Sequence, residues 1–110
     1  MKVAIVGSRD LIVDNLENYL PENITEIISG GARGIDCCAR DYAIKNSIKL
    51  TEFYPQYEKY GRKAPLMRND KIIYRADLVI AFWNGKSHGT KYVISKCQEI
   101  GKSLKVYYIT

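Results

Sequence analysis

At 110 residues, with 46% hydrophobic and 26% charged side chains, the chain has the size and balance of one compact, water-compatible domain spanning residues 1–110. No apolar run approaches the ~20 residues of a membrane span, and the start lacks the basic stretch and long apolar region of a secretory leader, so no membrane partner is expected. A net charge of +5, from 17 basic against 12 acidic residues, favours anionic partners, although solvated lysines alone can produce it.

Along the chain, apolar runs bounded by turn residues alternate with helical patterns. Lys2 to Val6 reads as a buried strand, followed by the turn Gly7-Ser8-Arg9. Leu11, Ile12, Leu16, Tyr19 and Leu20 fall at helical spacing, so a helix capped by Asp10 or Asp14 and stopped by Pro21 is expected. Thr25 to Ser29 is the second strand. Gly34 to Asn46 is the second helix, with Ile35, Cys38, Ala39, Tyr42 and Ala43 on one face. Ile48 to Tyr54 makes a third strand ended by Pro55, and Gln56 to Lys63 reads as a polar, aromatic and basic loop. A third helix follows Pro65, offering Leu66, Ile72, Ile73 and Ala76 to the core. Asp77 to Trp83 is a nearly continuous apolar strand of the kind found at the centre of a sheet. The turn Asn84 to Thr90 then opens a fourth helix carrying Val93, Ile94, Cys97 and Ile100. Gly101 stops it, and Leu104 to Ile109 is the last strand. Cys37, Cys38 and Cys97 are odd in number and lack metal-ligand spacing. No metal site is expected from them, and buried or partly buried thiols in a reducing, cytoplasmic compartment fit them best.

About five strands alternating with helices imply right-handed crossovers and a small doubly wound parallel sheet, a Rossmann-like α/β fold. Such sheets bind ligands beyond the carboxyl ends of their strands, where the strand order reverses. Three glycine-containing turns lie at that edge. In the first, Gly7 permits a tight turn, Ser8 can bond a phosphate oxygen or cap the backbone, and Arg9 can clamp an anion or lie on the rim. In the second, Ser29-Gly30-Gly31-Ala32-Arg33-Gly34-Ile35-Asp36, glycines let the backbone approach a ligand. Arg33 adds a planar cation there, and the helix opening near Gly34 presents free N–H groups. Asp36 can accept a ribose hydroxyl or simply complement the helix dipole. In the third, Ser87 and Thr90 flank His88 and Gly89 at a helix start, a cradle for an anion or a plain N-cap. Arg68 and Asn69, early in the third helix, can read a sugar, base or phosphate or lie on an exposed face. Trp83 can stack on a base or fill the core edge. The dinucleotide fingerprint G-x-G-x-x-G is absent.

With these residues placed, the chain resembles the SLOG superfamily of Rossmann-like domains, which joins the DNA-processing protein Smf (DprA) to the LOG nucleotide hydrolases. It is most similar to the small YspA-like, cpYpsA-related branch. The matching segments are Val6 to Arg9, Ser29 to Asp36, Arg68-Asn69 and Asp77 to Thr90, in family order. The resemblance implies a nucleotide, nucleotide-derived ligand or nucleic acid at the glycine-rich edge. It carries that role to Gly7, Ser8, Arg9, Gly30, Gly31, Arg33, Gly34, Asp36, Gly89 and Thr90. The chain departs from the LOG hydrolases where they carry a catalytic glutamate three residues after the threonine: here that position is Val93, and Lys86-Ser87 replaces their proline-glycine pair.

Three functions follow as expectations. The first is binding or sensing of a nucleotide-derived ligand, ADP-ribose-like or NAD-like. The second is hydrolysis of a nucleotide N-glycosidic bond, with Asp36, Asp70 or Glu99 as the carboxylate. The third is single-stranded nucleic-acid binding along Lys59, Arg62, Lys63, Arg68, Lys71 and Arg75, with Tyr57 and Tyr60 stacking on bases. Pairing of two copies into a homo-oligomer through the aromatic loop is compatible with each.

Overall fold

The computed structural model describes residues 1–109. Five parallel strands, β1 (Lys2–Gly7), β2 (Glu26–Ser29), β3 (Lys49–Glu52), β4 (Leu78–Trp83) and β5 (Leu104–Tyr108), form one sheet in the order β3-β2-β1-β4-β5. The helices are α1 (Ile35–Lys45), the single turn α2 (Tyr57–Tyr60), α3 (Ala64–Arg75) and α4 (His88–Ile100). From β1 the chain steps outward through β2 to β3, then crosses back to β4 and β5. The order therefore reverses between β1 and β4. This is the Rossmann-like arrangement the alternation of elements predicts.

Side chains alternate across β1, so Val3 and Ile5 face one layer and Ala4 and Val6 the other. On the first face Ile35, Ala39 and Ala43 of α1 close over Ile5 and Ile27. On the second, Ile72 and Ile73 of α3 and Val93 and Cys97 of α4 close over Val6, Ile28 and Ala81. Covered twice, β1 and β4 are buried almost throughout, which is why both read as unbroken apolar runs. β1 holds the exact middle of the sheet, and β4 sits beside it.

Four local expectations need correction. The helix expected after Arg9 is reduced to one 3-10 turn at Leu16–Tyr19. The side chains that reach the core are Leu11, Val13 and Leu16, spaced two and three apart, while Ile12 is 74% exposed. The segment is drawn across β4 and β5 instead, where the Tyr19 ring meets Phe82 at 5.2 Å and Tyr107 at 4.8 Å. Residues 56–63, expected as a loop, coil into α2 and a 3-10 turn at Gly61–Lys63 that runs into α3. There Pro65 occupies the first turn, where its missing N–H removes no bond. Leu66 is not core but 40% exposed, and Cys37 is an exposed thiol rather than a buried or partly buried one.

At the amino end of β2 the buried Glu26 carboxylate gathers three elements. It accepts bonds from Arg75 (Nε 2.8 Å, Nη2 3.1 Å) and from the Thr51 hydroxyl (2.8 Å), with Lys49 Nζ at 3.6 Å. The Arg75 bonds outweigh burial and hold the Glu26 pKa down to about 2. Arg75 is thereby committed to the edge of the sheet opposite the glycine-rich turns.

Candidate functional site

The reversal between β1 and β4 opens a crevice at the carboxyl ends of the strands, and the turns after β1, β2 and β4 all reach it. Two adjoining lobes result. The inner lobe, about 440 Å³, is bounded by Ser8, Asp36, Asn69, Ser87 and Thr90 over an apolar floor of Val6, Ile72 and Val93. The outer lobe, about 430 Å³, is walled by Gly31, Arg33, Tyr54 and Pro55. Arg9, Gly30, Ala32 and Arg68 border both. Both volumes lie in the range of small-ligand sites.

Glycines fix how closely these turns meet. Gly7 lets Ile35 sit on β1, since a Cβ there would collide with that side chain and lie 2.8 Å from the Phe82 carbonyl oxygen. Gly34, at φ +72°, lets the start of α1 abut the turn after β1, with the Ser8 carbonyl oxygen 2.7 Å from where a Cβ would stand. Gly34 therefore packs one turn on another and does not itself border the cleft. At Gly30 an added Cβ would stand 2.8 Å from Arg68 Nη1 and 3.0 Å from Asp36 Oδ2. The bare backbone thus brings a cation and a carboxylate together.

Arg68 is half-buried and tethered on three sides. Its Nη1 donates to the carbonyls of Gly30 (2.8 Å) and Phe53 (3.3 Å), and its Nε to Asn69 Oδ1 (2.8 Å). Burial lowers its pKa, opposed by the Asp36 charge and reinforced by Arg9, yet a guanidinium stays protonated at any working pH. Asp36 is 8% exposed, and its Oδ2 accepts the Ala32 N–H at 3.1 Å. Burial raises its pKa, while the Ala32 bond and the Arg68 charge pull the other way. Ser29, fully buried below, has no hydrogen-bond partner for its hydroxyl among the described residues. Its proximity favours the charged form of Asp36 without a well-aligned bond. Arg9 and Arg33 are exposed on the rim.

The third turn is fastened by Asn84, which the sequence placed in it without a role, and by Trp83, which the sequence offered as a stacking or core-edge residue. Asn84 Oδ1 accepts the N–H groups of Lys86 (2.8 Å) and Ser87 (2.9 Å), and its Nδ2 donates to Asp10 Oδ1 at 2.9 Å. The Asn84 N–H donates to Ser8 Oγ at 3.3 Å, stitching the turn after β4 to the turn after β1. Trp83 Nε1 donates to the Ser87 carbonyl at 3.0 Å, so the indole braces this loop and tilts against Tyr108. Ser87 Oγ and Thr90 Oγ1 lie 3.3 Å apart at the start of α4.

Of the residues singled out from sequence, Gly7, Ser8, Arg9, Gly30, Ala32, Asp36, Arg68, Asn69, Ser87, Gly89 and Thr90 border the inner lobe. Gly31 and Arg33 border the outer one, whereas Ser29 and Gly34 support from behind. Asp10, Tyr54 and Pro55 also border the cleft, although the sequence offered them only as a helix cap, a strand end and a strand stop. Asp10 and Asp36 are the carboxylates bordering the inner lobe. Asp70 is engaged elsewhere, accepting the Tyr92 hydroxyl at 2.8 Å between α3 and α4, and Glu99 lies in the last turn of α4. The buried Val93 occupies the floor. The expected cationic strip is interrupted, since Arg75 serves Glu26 and Arg68 is tethered inward. Lys59, Arg62, Lys63 and Lys71 stay exposed.

A family model described as DNA recombination-mediator protein A matches residues 1–91, the stretch that carries β1 to β4 and all three turns of the cleft. The "Gene 61 protein" of Mycobacterium phage D29 is 30% identical over 115 residues, covering 91% of this chain and 90% of that protein. No solved structure gives a significant match.

Proposed function

Since the chain belongs to the DNA recombination-mediator protein A family, within the SLOG superfamily and related to DNA processing, we propose that its cleft binds a nucleotide or nucleotide-derived ligand of the ADP-ribose or NAD type. The observation that carries this reading is the division of the cleft: an inner lobe with an apolar floor and hydroxyl-bearing walls adjoins an outer lobe that carries Arg33, with Arg9 and Arg68 where the two meet. A base fits the first and phosphates the second, where glycine backbone and guanidinium groups meet. Gly7, Ser8, Gly30, Ala32, Ser87, Gly89 and Thr90 supply close-approach backbone and hydroxyls; Asp36 and Asn69 supply polar selectivity. Ser29 and Gly34 hold the turns in place.

Within the superfamily we assign the chain to the YspA-like branch, on the order of its four matching segments. One binding domain over residues 1–110, working in the cytoplasm, is part of the same reading. Binding without LOG-type hydrolysis is favoured, because Val93 stands where those enzymes carry their glutamate.

The test is calorimetric titration with AMP, ADP-ribose and NAD, paired with melting curves. A ligand at a hundred times its Kd raises stability by about 2.7 kcal/mol, enough to read as a clear shift in Tm. Arg9→Ala and Arg33→Ala, both on exposed rim residues, should weaken binding roughly tenfold each with little change in the unliganded Tm. No heat and no shift with any of the three ligands would dismiss the reading.

Family membership favours one other reading, single-stranded DNA in the same cleft with Lys59, Arg62, Lys63 and Lys71 alongside it. It demands an affinity that falls steeply with salt, by about one decade or more between 50 and 200 mM, as phosphate contacts release counterions.

A further inference from the structure

We propose that Asp10 is the acceptor for the vicinal hydroxyls of a ribose, so that the cleft selects ribonucleotides over their 2′-deoxy counterparts. This rests on the nucleotide reading above.

The Asp10 carboxylate borders the inner lobe and is held from one side only. Asn84 Nδ2 donates to its two oxygens at 2.9 and 3.2 Å. The amide cannot turn away, because Asn84 Oδ1 must accept the N–H groups of Lys86 and Ser87, which also settles which end of the amide faces Asp10. The Asn84 backbone is fixed in turn by Ser8 Oγ. No cation pairs with Asp10 among the described residues. A carboxylate offers about four acceptor positions, and Asn84 occupies two, leaving two unused on a residue that borders the inner lobe.

The fold itself makes small use of the charge. Asp10 is exposed, reaches no core group, and a neutral amide could tie the two turns equally well. A fixed anion in a ligand cleft selects for donors and against phosphate. The arginines bordering the outer lobe already suit phosphate, and the apolar floor suits a base face. The donors a nucleotide has left are its sugar hydroxyls and any exocyclic amine. Two adjacent hydroxyls match two carboxylate oxygens, and hydrogen bonds to a charged acceptor are the stronger kind.

Calorimetric titration of the intact protein with AMP, 2′-deoxy-AMP and IMP separates the possibilities. AMP should bind ten- to a hundredfold more tightly than 2′-deoxy-AMP, and Asp10→Ala should erase that ratio, bringing AMP to or below the affinity the unaltered protein has for the deoxy form. Should that variant fail to fold, Asp10→Asn, which keeps one acceptor oxygen and the Asn84 tie, should narrow the ratio to severalfold. Equal binding of AMP and 2′-deoxy-AMP by the unaltered protein overturns the diol assignment while leaving nucleotide binding standing. So does a substitution that weakens both equally, or one that erases discrimination against IMP instead, which would make Asp10 a reader of the amine. Failure of all three to bind, with ADP-ribose and NAD failing alongside them, overturns the nucleotide reading, and this assignment with it.

Discussion

Asp36 illustrates how a single side chain can work against its own fold. Its burial raises its pKa, so the folded chain binds a proton more tightly than the unfolded one. Stability from this group therefore falls as pH rises from the unfolded value near 3.8 to the higher folded value, and the cost persists at neutral pH. Asp36→Asn keeps an acceptor for the Ala32 N–H and removes that cost. Its Tm at pH 7 should equal or exceed that of the unaltered protein, by on the order of 1 kcal/mol in stability, while affinity for AMP or ADP-ribose drops. A lower Tm together with unaltered affinity would assign Asp36 to the fold instead. Gly31 makes the opposite case. At φ +68°, with the Tyr54 ring where a Cβ would go, Gly31→Val should cost about 1–3 kcal/mol by urea denaturation and displace Tyr54 from the outer lobe. The glycines and Arg33 could be read from sequence because turn chemistry is local. The tethering of Arg68 could not: its acceptors, the carbonyls of Gly30 and Phe53, lie 38 and 15 residues away.

Among the elements, β2, β3 and α3 are joined at their far end by Glu26, Thr51 and Arg75. A carboxylate held near pKa 2 contributes stability that is complete above its unfolded value of 4.5 and is lost as pH falls toward 2. Urea midpoints measured from pH 6 to 2 should show this loss, and Glu26→Gln should flatten it. The cost of that substitution at pH 7 should be about 1–2 kcal/mol, less than a fully buried pair, because Arg75 is 39% exposed. A second tie joins α3 to α4, where the bond to Asp70 pushes Tyr92 up to about 12. Tyr92→Phe should lower stability by about 1 kcal/mol at pH 7, measured in urea. Strands and the longer helices were legible because burial on two faces leaves an unbroken apolar run and burial on one imposes a period. The segment after Arg9 was not, since Leu11, Leu16, Tyr19 and Leu20 fit a helical stripe as well as they fit an irregular cover. Long-range contacts with Phe82 and Tyr107 decide between the two.

Across the whole molecule, the alternation of strand and helix was enough to place the glycine-rich turns at one edge. The reversal between β1 and β4 sets the crevice among those turns, and with right-handed crossovers it puts α1 on one face of the sheet and α3 and α4 on the other. What alternation cannot convey is how much chain each crossover needs. The passage from β1 to β2 manages with a single 3-10 turn, and this has a consequence for motion. Residues 8–25 hold few backbone hydrogen bonds, so their amides should exchange with deuterium far sooner than those of β1 and β4. Ser8, Arg9 and Asp10 begin that segment, making it a wall of the cleft. Occupying the cleft should slow exchange over residues 8–20 much more than in α3, as mass spectrometry of peptides would show. On that account the passage is a local equilibrium between loose and settled chain, and a ligand reads out as the time its protons are kept.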